Sequence, residues 1–393
     1  MTLEVERLNR LRRTMESLDV TAVLTADPAN VVYATGVRNM TVFSMMGSFR
    51  FVLVLAEGPV VLWEFAGCEH LAQSAPSVTE VRIAPDLTPA SGSRWAESTE
   101  GFAREVADLI KVQPFGGRRL AIERFDHHVT DALRAQGCEL TSATEVFASA
   151  RRIKTAGELA VMRSAMDIVT AALETMRDRI EPGRTEVEVW AELHRGLIAR
   201  NGEFISTRLA QAGSRTFPYF NEAGTTTVSS GDLFCVDTDA IGPGGYGADF
   251  SRTFVCGDGR PSPVQQSIFS MALEQLQHNA SLLAPGRSYE SFARSAWAVP
   301  ERFAPYRYYC LAHGLGLTGE APYIPVHDPS RPFPVSGAFE PGMVICIESY
   351  IGDSESHQGV KLEDQYLITE QGPELMSTMP HELTGSSTHQ RLS

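Results

Sequence analysis

Four carboxylates and one imidazole, Asp239, Asp249, His313, Glu348 and Glu363, lie between positions 239 and 363, each inside a segment that reads as structured. Carboxylates with a single imidazole suit Mn, Fe, Zn or Co, and shared carboxylates are the usual means of holding two such ions a few Å apart. The set therefore predicts two divalent transition-metal ions as cofactor, and with them a reaction. Asp237, two residues before Asp239 and on the same face of an expected strand, joins the set as a sixth candidate ligand.

The elements that must position these groups can be read around them. GDLFCVDTDAIGPGGYGADFSRTFVCGDG has the pattern of a hairpin: an apolar strand ending in Asp237 and Asp239, a Gly/Pro-rich turn, and a return strand carrying Asp249. Antiparallel pairing would set the two aspartate positions opposite each other. Upstream, two helices of long apolar period are separated by Glu-Pro-Gly, the second opened by Thr185 with Glu188 three residues on, a capping box. From Leu8 to Glu145 the pattern is mixed α/β. An amphipathic helix is followed by short apolar strands, among them the pair FVLVLA and PVVLWEF around the turn EGP, with a surface loop expected from Pro85 to Arg94. The fold class is thus α/β (α+β), divided near residue 150 into domains of residues 1–150 and 151–393, with all candidate chemistry in the second.

A chain of 393 residues with 43% hydrophobic, 8% aromatic and 21% charged residues is that of a two-domain globular enzyme. No apolar run is long enough to span a bilayer. The formal charge of −14 disfavours nucleic acid and anionic lipid as partners, which leaves a small molecule. Cys68, Cys138, Cys235, Cys256, Cys310 and Cys346 show no paired spacing, so disulfides are not expected. The opening MTLEVERLNRLRRTM lacks the apolar core of a secretory signal, and a cytoplasmic location is the expectation. The polar tail from Thr384 to Ser393 reads as frayed.

With these motifs in order, the second half resembles the pita-bread fold of the creatinase, aminopeptidase P and methionine aminopeptidase superfamily, and the first half its creatinase-type N-terminal domain. GDLFCVDTDAIGPGGYGADFSRTF is similar to the superfamily's two-aspartate hairpin, AHGLGL to its histidine segment, EPGMVICIE to its first glutamate strand and QGVKLEDQYLITEQG to its second. The resemblance implies that Asp239, Asp249, His313, Glu348 and Glu363 are metal ligands, Asp249 and Glu363 in the bridging positions. It also implies a homodimer. The Asp-Thr-Asp step and SRTFPYFNEAG are similar to the branch that contains the bacterial dimethylsulfoniopropionate lyases, in which the first aspartate, here Asp237, also reaches the metals.

Departures from the peptidase pattern carry the functional expectation. Where those enzymes have a histidine upstream of the hairpin, this chain has Tyr219 and Phe220, and seven residues beyond the metal histidine it has Glu320. Both histidines act on the peptide in the transition state, so Xaa-Pro cleavage is handicapped here. The lyases carry an aspartate, proposed as the base, at the place of Gly319, so the proton must move by another group: Glu320, Tyr308, Glu348 or a metal-bound hydroxide. The expectation is a dinuclear-metal enzyme of non-peptidase type that cleaves a C–S or C–N bond of a small carboxylate-bearing metabolite. Xaa-Pro dipeptidase or aminopeptidase activity is the alternative, as is a creatinase- or ectoine-hydrolase-like C–N hydrolysis. Tyr246, Tyr309, His327 and Asp328 flank the expected site, with packing or solvent exposure as their ordinary roles. Met40, Met45, Met46, Phe43 and Phe49 form a soft apolar set that fits either a core or the cover of a neighbouring subunit's site.

Overall fold

The computed structural model describes residues 2–47, 49–89, 92, 94–111 and 119–383. The tail from Thr384 and part of the loop expected over Pro85–Arg94 lie outside the described residues. The chain separates into two compact units, Met1–Arg151 and Arg152–Ser393.

The first unit is a six-stranded mixed sheet with helices. Its strands are β1 (Ala22–Thr25), β2 (Phe51–Leu55), β3 (Val60–Glu64), β4 (Glu80–Ile83), β5 (Arg119–Glu123) and β6 (Glu139–Ser142), in the order β4-β3-β2-β1-β5-β6. β2 and β3 form the hairpin that the sequence pattern predicts, Val54 opposite Val60 and Phe51 opposite Trp63. Every residue of β1, β2 and β3 is buried, so these strands read as continuous apolar runs instead of alternating ones. Helix Trp95–Lys111 lays Phe102, Ala103, Val106, Ala107 and Ile110 into that core, spacings of three and four that form one helical stripe. Arg50 is among the buried polar residues of this unit, and its guanidinium meets the fully buried Glu64 at 2.8 and 3.0 Å.

In the second unit, helices Ala156–Arg177 and Glu186–Ile198 begin with capping boxes, Thr155 with Glu158 and Thr185 with Glu188. The hairpin segment folds as β9 (Leu233–Asp237), β10 (Ala240–Ile241), β11 (Gly247–Ala248) and β12 (Ser251–Val255), preceded by β7 (Phe204–Ile205) and β8 (Ala210–Ala212). β8, β9 and β12 make one small sheet, and β7, β10 and β11 another. The pairings Asp237 with Ser251 and Ala240 with Ala248 set one register through the whole hairpin, and this brings Asp239 opposite Asp249. The strand does not run straight through: it breaks at Thr238 and Asp239, the latter at φ 38°. Thr238 stitches the break, its hydroxyl donating to Ala248 and accepting from the Phe250 amide.

A five-stranded antiparallel sheet supplies the remaining candidates. It consists of β13 (Cys310–Leu315), β14 (Gly319–Pro325), β15 (Val344–Asp353), β16 (Gln358–Thr369) and β17 (Gly372–Leu375), in the order β14-β13-β15-β16-β17. β15 and the stretch of β16 from Gly359 to Gln365 are buried, packed on helix Pro263–Ser281 through Ile345, Ile347, Ile351, Val360 and Leu362. With one face apolar, the other is left to carry the charged residues of the site.

Candidate metal centre

Strand alternation puts the charged groups on one face. Glu348 of β15 stands directly opposite Glu363 of β16, and His313 of β13 stands opposite Cys346 of β15. His313 Nε2 lies 3.4 Å from Glu348 Oε1, 3.5 Å from Glu363 Oε1 and 3.9 Å from Asp249 Oδ2. The hairpin contributes Asp237, Asp239 and Asp249, whose oxygens come within 4.8 Å of one another, and Asp249, His313, Cys346 and Glu363 form a second such group. Asp249 belongs to both. The six candidate ligands are therefore gathered in one place, all buried except the half-buried Asp239.

The sequence reading missed the group that organises this face. Lys361 is completely buried, and its ammonium donates to Glu348 Oε2 at 2.6 Å, Ser251 Oγ at 2.7 Å and Glu363 Oε2 at 3.1 Å, with Asp237 Oδ2 at 3.5 Å. Each carboxylate has thus one oxygen tied and one left over. Ser251 also donates to Glu363 Oε2, the Tyr219 hydroxyl donates to Asp237 Oδ2, and Thr207 donates to Asp239. The oxygens left over, Asp237 Oδ1 and Glu363 Oε1, are buried with no hydrogen-bond partner. A buried carboxylate oxygen without a partner is rare and costly, and a cation is the natural partner for it. The signal for Lys361 was present in QGVKLEDQ, since it shares a strand face with Glu363 two residues on.

The electrostatics show the same imbalance. Five carboxylates, Asp237, Asp239, Asp249, Glu348 and Glu363, surround one ammonium and one imidazole, an excess of four negative charges when all are ionised and the imidazole is neutral. Burial, and then the neighbouring Glu363 and Asp239, push the Asp249 carboxyl well above its ordinary range. Burial and Asp237 raise Asp239 to about 7. Glu348 is raised by burial and Glu363. Glu363 goes the other way: burial opposes its ionisation, but Lys361 and His313 outweigh it and hold the carboxyl low. His313 and Lys361 are raised against the cost of burial by the carboxylates around them. Divalent cations fit this donor set.

Of the proton-transfer candidates, Glu348 and Tyr308 border a cavity of about 290 Å³ that Arg307 and His327 also line. The Lys361 ammonium sits 4.9 Å from the centre of the Tyr308 ring, and burial together with Glu348 holds the phenol strongly protonated. His327 presents a buried Nε2 without a hydrogen-bond partner, while Asp328 turns back on Ser330. The Glu320 carboxylate is paired with the buried ammonium of Lys154 at 2.8 Å and accepts from the Leu317 amide, on the face of β14 opposite that of Tyr323 and away from His313. Its spacing from His313 is legible in the sequence, its strand face is not. Tyr246 donates to Glu158, so it packs the hairpin against helix Ala156–Arg177. Phe220, at φ 70° and 53% exposed, stacks on Tyr308, and Tyr309 beside it is 60% exposed. In the first unit Met40, Phe43, Met45, Met46 and Phe49 are surface residues, not core.

Residues 160–370 match the model of metallopeptidase family M24, and residues 7–153 match the creatinase/prolidase N-terminal domain. The chain belongs to metallopeptidase family M24. Members of this family are metal-dependent enzymes, in keeping with the buried ligand set described above. Among M24 relatives, dimethylsulfoniopropionate lyase DddP of Roseovarius nubinhibens is 34% identical over 96% of this chain and 86% of its own length. The probable dipeptidase PepE of Mycobacterium tuberculosis is 27% identical over 84% of each chain. The M24 fold is shared with the solved Xaa-Pro dipeptidase of Bacillus anthracis, at a TM-score of 0.76 and 22% identity, covering 97% of this chain and 99% of that one. No helix among the described residues is long and apolar enough to cross a membrane.

Proposed function

We propose that this protein is a dinuclear-metal lyase that eliminates dimethyl sulfide from dimethylsulfoniopropionate or a close analogue, a small carboxylate bearing a leaving group on its β-carbon. The observation that carries the reading is Asp237: Tyr219 holds its Oδ2 and its Oδ1 is left buried and unpartnered among the ligands. A third aspartate in the cluster is the mark of the lyase branch, and the Tyr219 that fixes it belongs to the Tyr219–Phe220 stretch that matches the place of a peptidase histidine.

Asp249, His313, Glu348 and Glu363 would hold one ion and Asp237, Asp239 and Asp249 the other; iron, manganese, zinc and cobalt all suit these donors. When bound, the ions supply Lewis-acid polarisation of the substrate's carboxylate. β-Elimination moves one proton from the α-carbon to a base while the C–S electron pair leaves with sulfur, giving dimethyl sulfide and acrylate. Glu348 is the carboxylate that both borders the cavity and belongs to the cluster, so it is assigned the proton. Lys361 fixes its other oxygen. Tyr308, kept protonated, donates a hydrogen bond into the same cavity and excludes water from it. The enzyme is read as cytoplasmic and homodimeric.

The test is headspace detection of dimethyl sulfide from metal-loaded protein and dimethylsulfoniopropionate, with Ala-Pro as the competing substrate. Dimethyl sulfide release with little Ala-Pro cleavage is the expected result. Ala-Pro turnover in the ordinary enzymatic range of about 1 to 1000 per second, without dimethyl sulfide, replaces this reading by the dipeptidase one.

A further inference from the structure

Residue 319 is glycine, and the space beside it is already taken. A β-carbon on Gly319 would lie 2.3 Å from the hydroxyl oxygen of Tyr323, so the phenol fills the volume that any side chain at 319 would need. Tyr323 pairs with His313 across β13 and β14, and its ring lies over the imidazole with centroids 5.7 Å apart and planes at 22°. Along β14 the outward residues are Gly319, Ala321 and Tyr323, while Glu320, Pro322 and Ile324 point inward. Tyr323 is 45% exposed, and its hydroxyl makes no hydrogen bond among the described residues. A ring anchored on a candidate ligand, with a donor left unpaired above a glycine, is arranged to meet a molecule that enters from outside.

We propose that Tyr323 contacts the substrate: its O–H, seated in the space beside Gly319, donates a hydrogen bond to an oxygen of the small carboxylate bound beside His313. The proposal rests on the small-carboxylate reading above. A phenol keeps its proton at neutral pH, so the chain presents a donor where an aspartate would be an acceptor. Such a donor stabilises negative charge that grows on the substrate oxygen as the α-proton leaves for Glu348, and this interaction is strongest in the transition state. Glycine at 319 is then a requirement, because even a methyl group there displaces the hydroxyl.

The test is a double-mutant cycle on the manganese-loaded protein. Tyr323→Phe keeps the ring on His313 and removes only the donor; kcat on dimethylsulfoniopropionate falls by a factor on the order of 100, KM rises by no more than about 10-fold, and metal content is unchanged. Gly319→Ala produces a loss of the same order, and the double variant is no worse than either single one. Acrylate binding measured by calorimetry supplies a readout without turnover: Tyr323→Phe weakens it about 5- to 10-fold. Wild-type turnover and acrylate affinity in Tyr323→Phe, or additive losses in the double variant, overturn the proposal. A wild-type protein that binds acrylate but leaves dimethylsulfoniopropionate intact rejects the lyase assignment, and Tyr323 is then judged on the acrylate ratio alone. Absence of acrylate binding to the wild type overturns the Tyr323 contact itself.

Discussion

Each unit buries charge, but they do so differently. In the first unit one buried guanidinium, Arg50, meets one buried carboxylate, Glu64, through two hydrogen bonds, and the pair balances in charge. In the second, five carboxylates share the ammonium of Lys361 and the imidazole of His313, and two oxygens face the cluster with nothing to accept. The first arrangement can fold and persist by itself. The second requires cations, because unneutralised carboxylates in a buried cluster repel one another strongly. A balanced buried pair marks structure, and an unbalanced buried set marks a binding site.

The contrast is broken most severely at Asp249, the residue common to both ligand groups. Asp249→Ala should lower metal content to well below one ion per chain and cut turnover by about 1000-fold or more, as measured by plasma mass spectrometry and steady-state assay. Full activity in this variant would detach the cluster from the chemistry. In the first unit, Arg50→Met leaves Glu64 buried without its partner and should cost about 3–5 kcal/mol in denaturant unfolding of that unit. The manganese stoichiometry of the variant should stay at the wild-type value, and a loss of metal binding would contradict the separation of the two roles.

Glu320 sharpens the comparison from within the second unit, because its pairing with Lys154 is of the balanced kind. Glu320→Gln should destabilise the fold by about 1–3 kcal/mol and change kcat less than about 3-fold. A loss of turnover at full stability and metal content would restore it as a proton-transfer group.

The smallest effect expected is on the pH dependence of the metal-free protein. Asp239 is raised to about 7 in the folded state from an ordinary value near 3.8, so between these values the folded state binds more protons than the unfolded one. Stability of the metal-free protein should therefore decline as pH rises from about 4 to about 7 on this account. His313, also raised, acts in the same direction: its contribution is complete below its unfolded value and is lost as pH rises through the folded one. Metal loading removes the slope by replacing protons with cations. Thermal melts of metal-free and metal-loaded protein at pH 5 and pH 7.5 compare the two, and parallel pH profiles would contradict the assignment.

The ligand set was legible in the sequence because each ligand lies in a segment whose pattern fixes its strand, and the hairpin register then follows from the turn. Lys361 was not, because a lysine beside two acidic residues reads as a solvated face until the strand is known to be buried on both sides. The surroundings of Glu320 were not legible for a different reason: its face depends on how β14 pairs with β13, Tyr323 opposite His313 and Glu320 opposite Gly314, and a spacing of seven from His313 does not state that pairing. Asp239 at φ 38° could not be foreseen either, since the hairpin pattern predicts a continuous strand where the chain breaks. The unpaired hydroxyl of Tyr323 depends on that same pairing of β14 with β13 and on a glycine four residues away.

The excess negative charge of the second unit is of the size that two divalent cations would balance. Calorimetric titration of manganese(II) into metal-free wild-type protein tests this balance directly. The account predicts saturation at about two ions per chain, with thermal stability rising as the sites fill. Saturation below one ion per chain, or a melting temperature that does not move on loading, would contradict it.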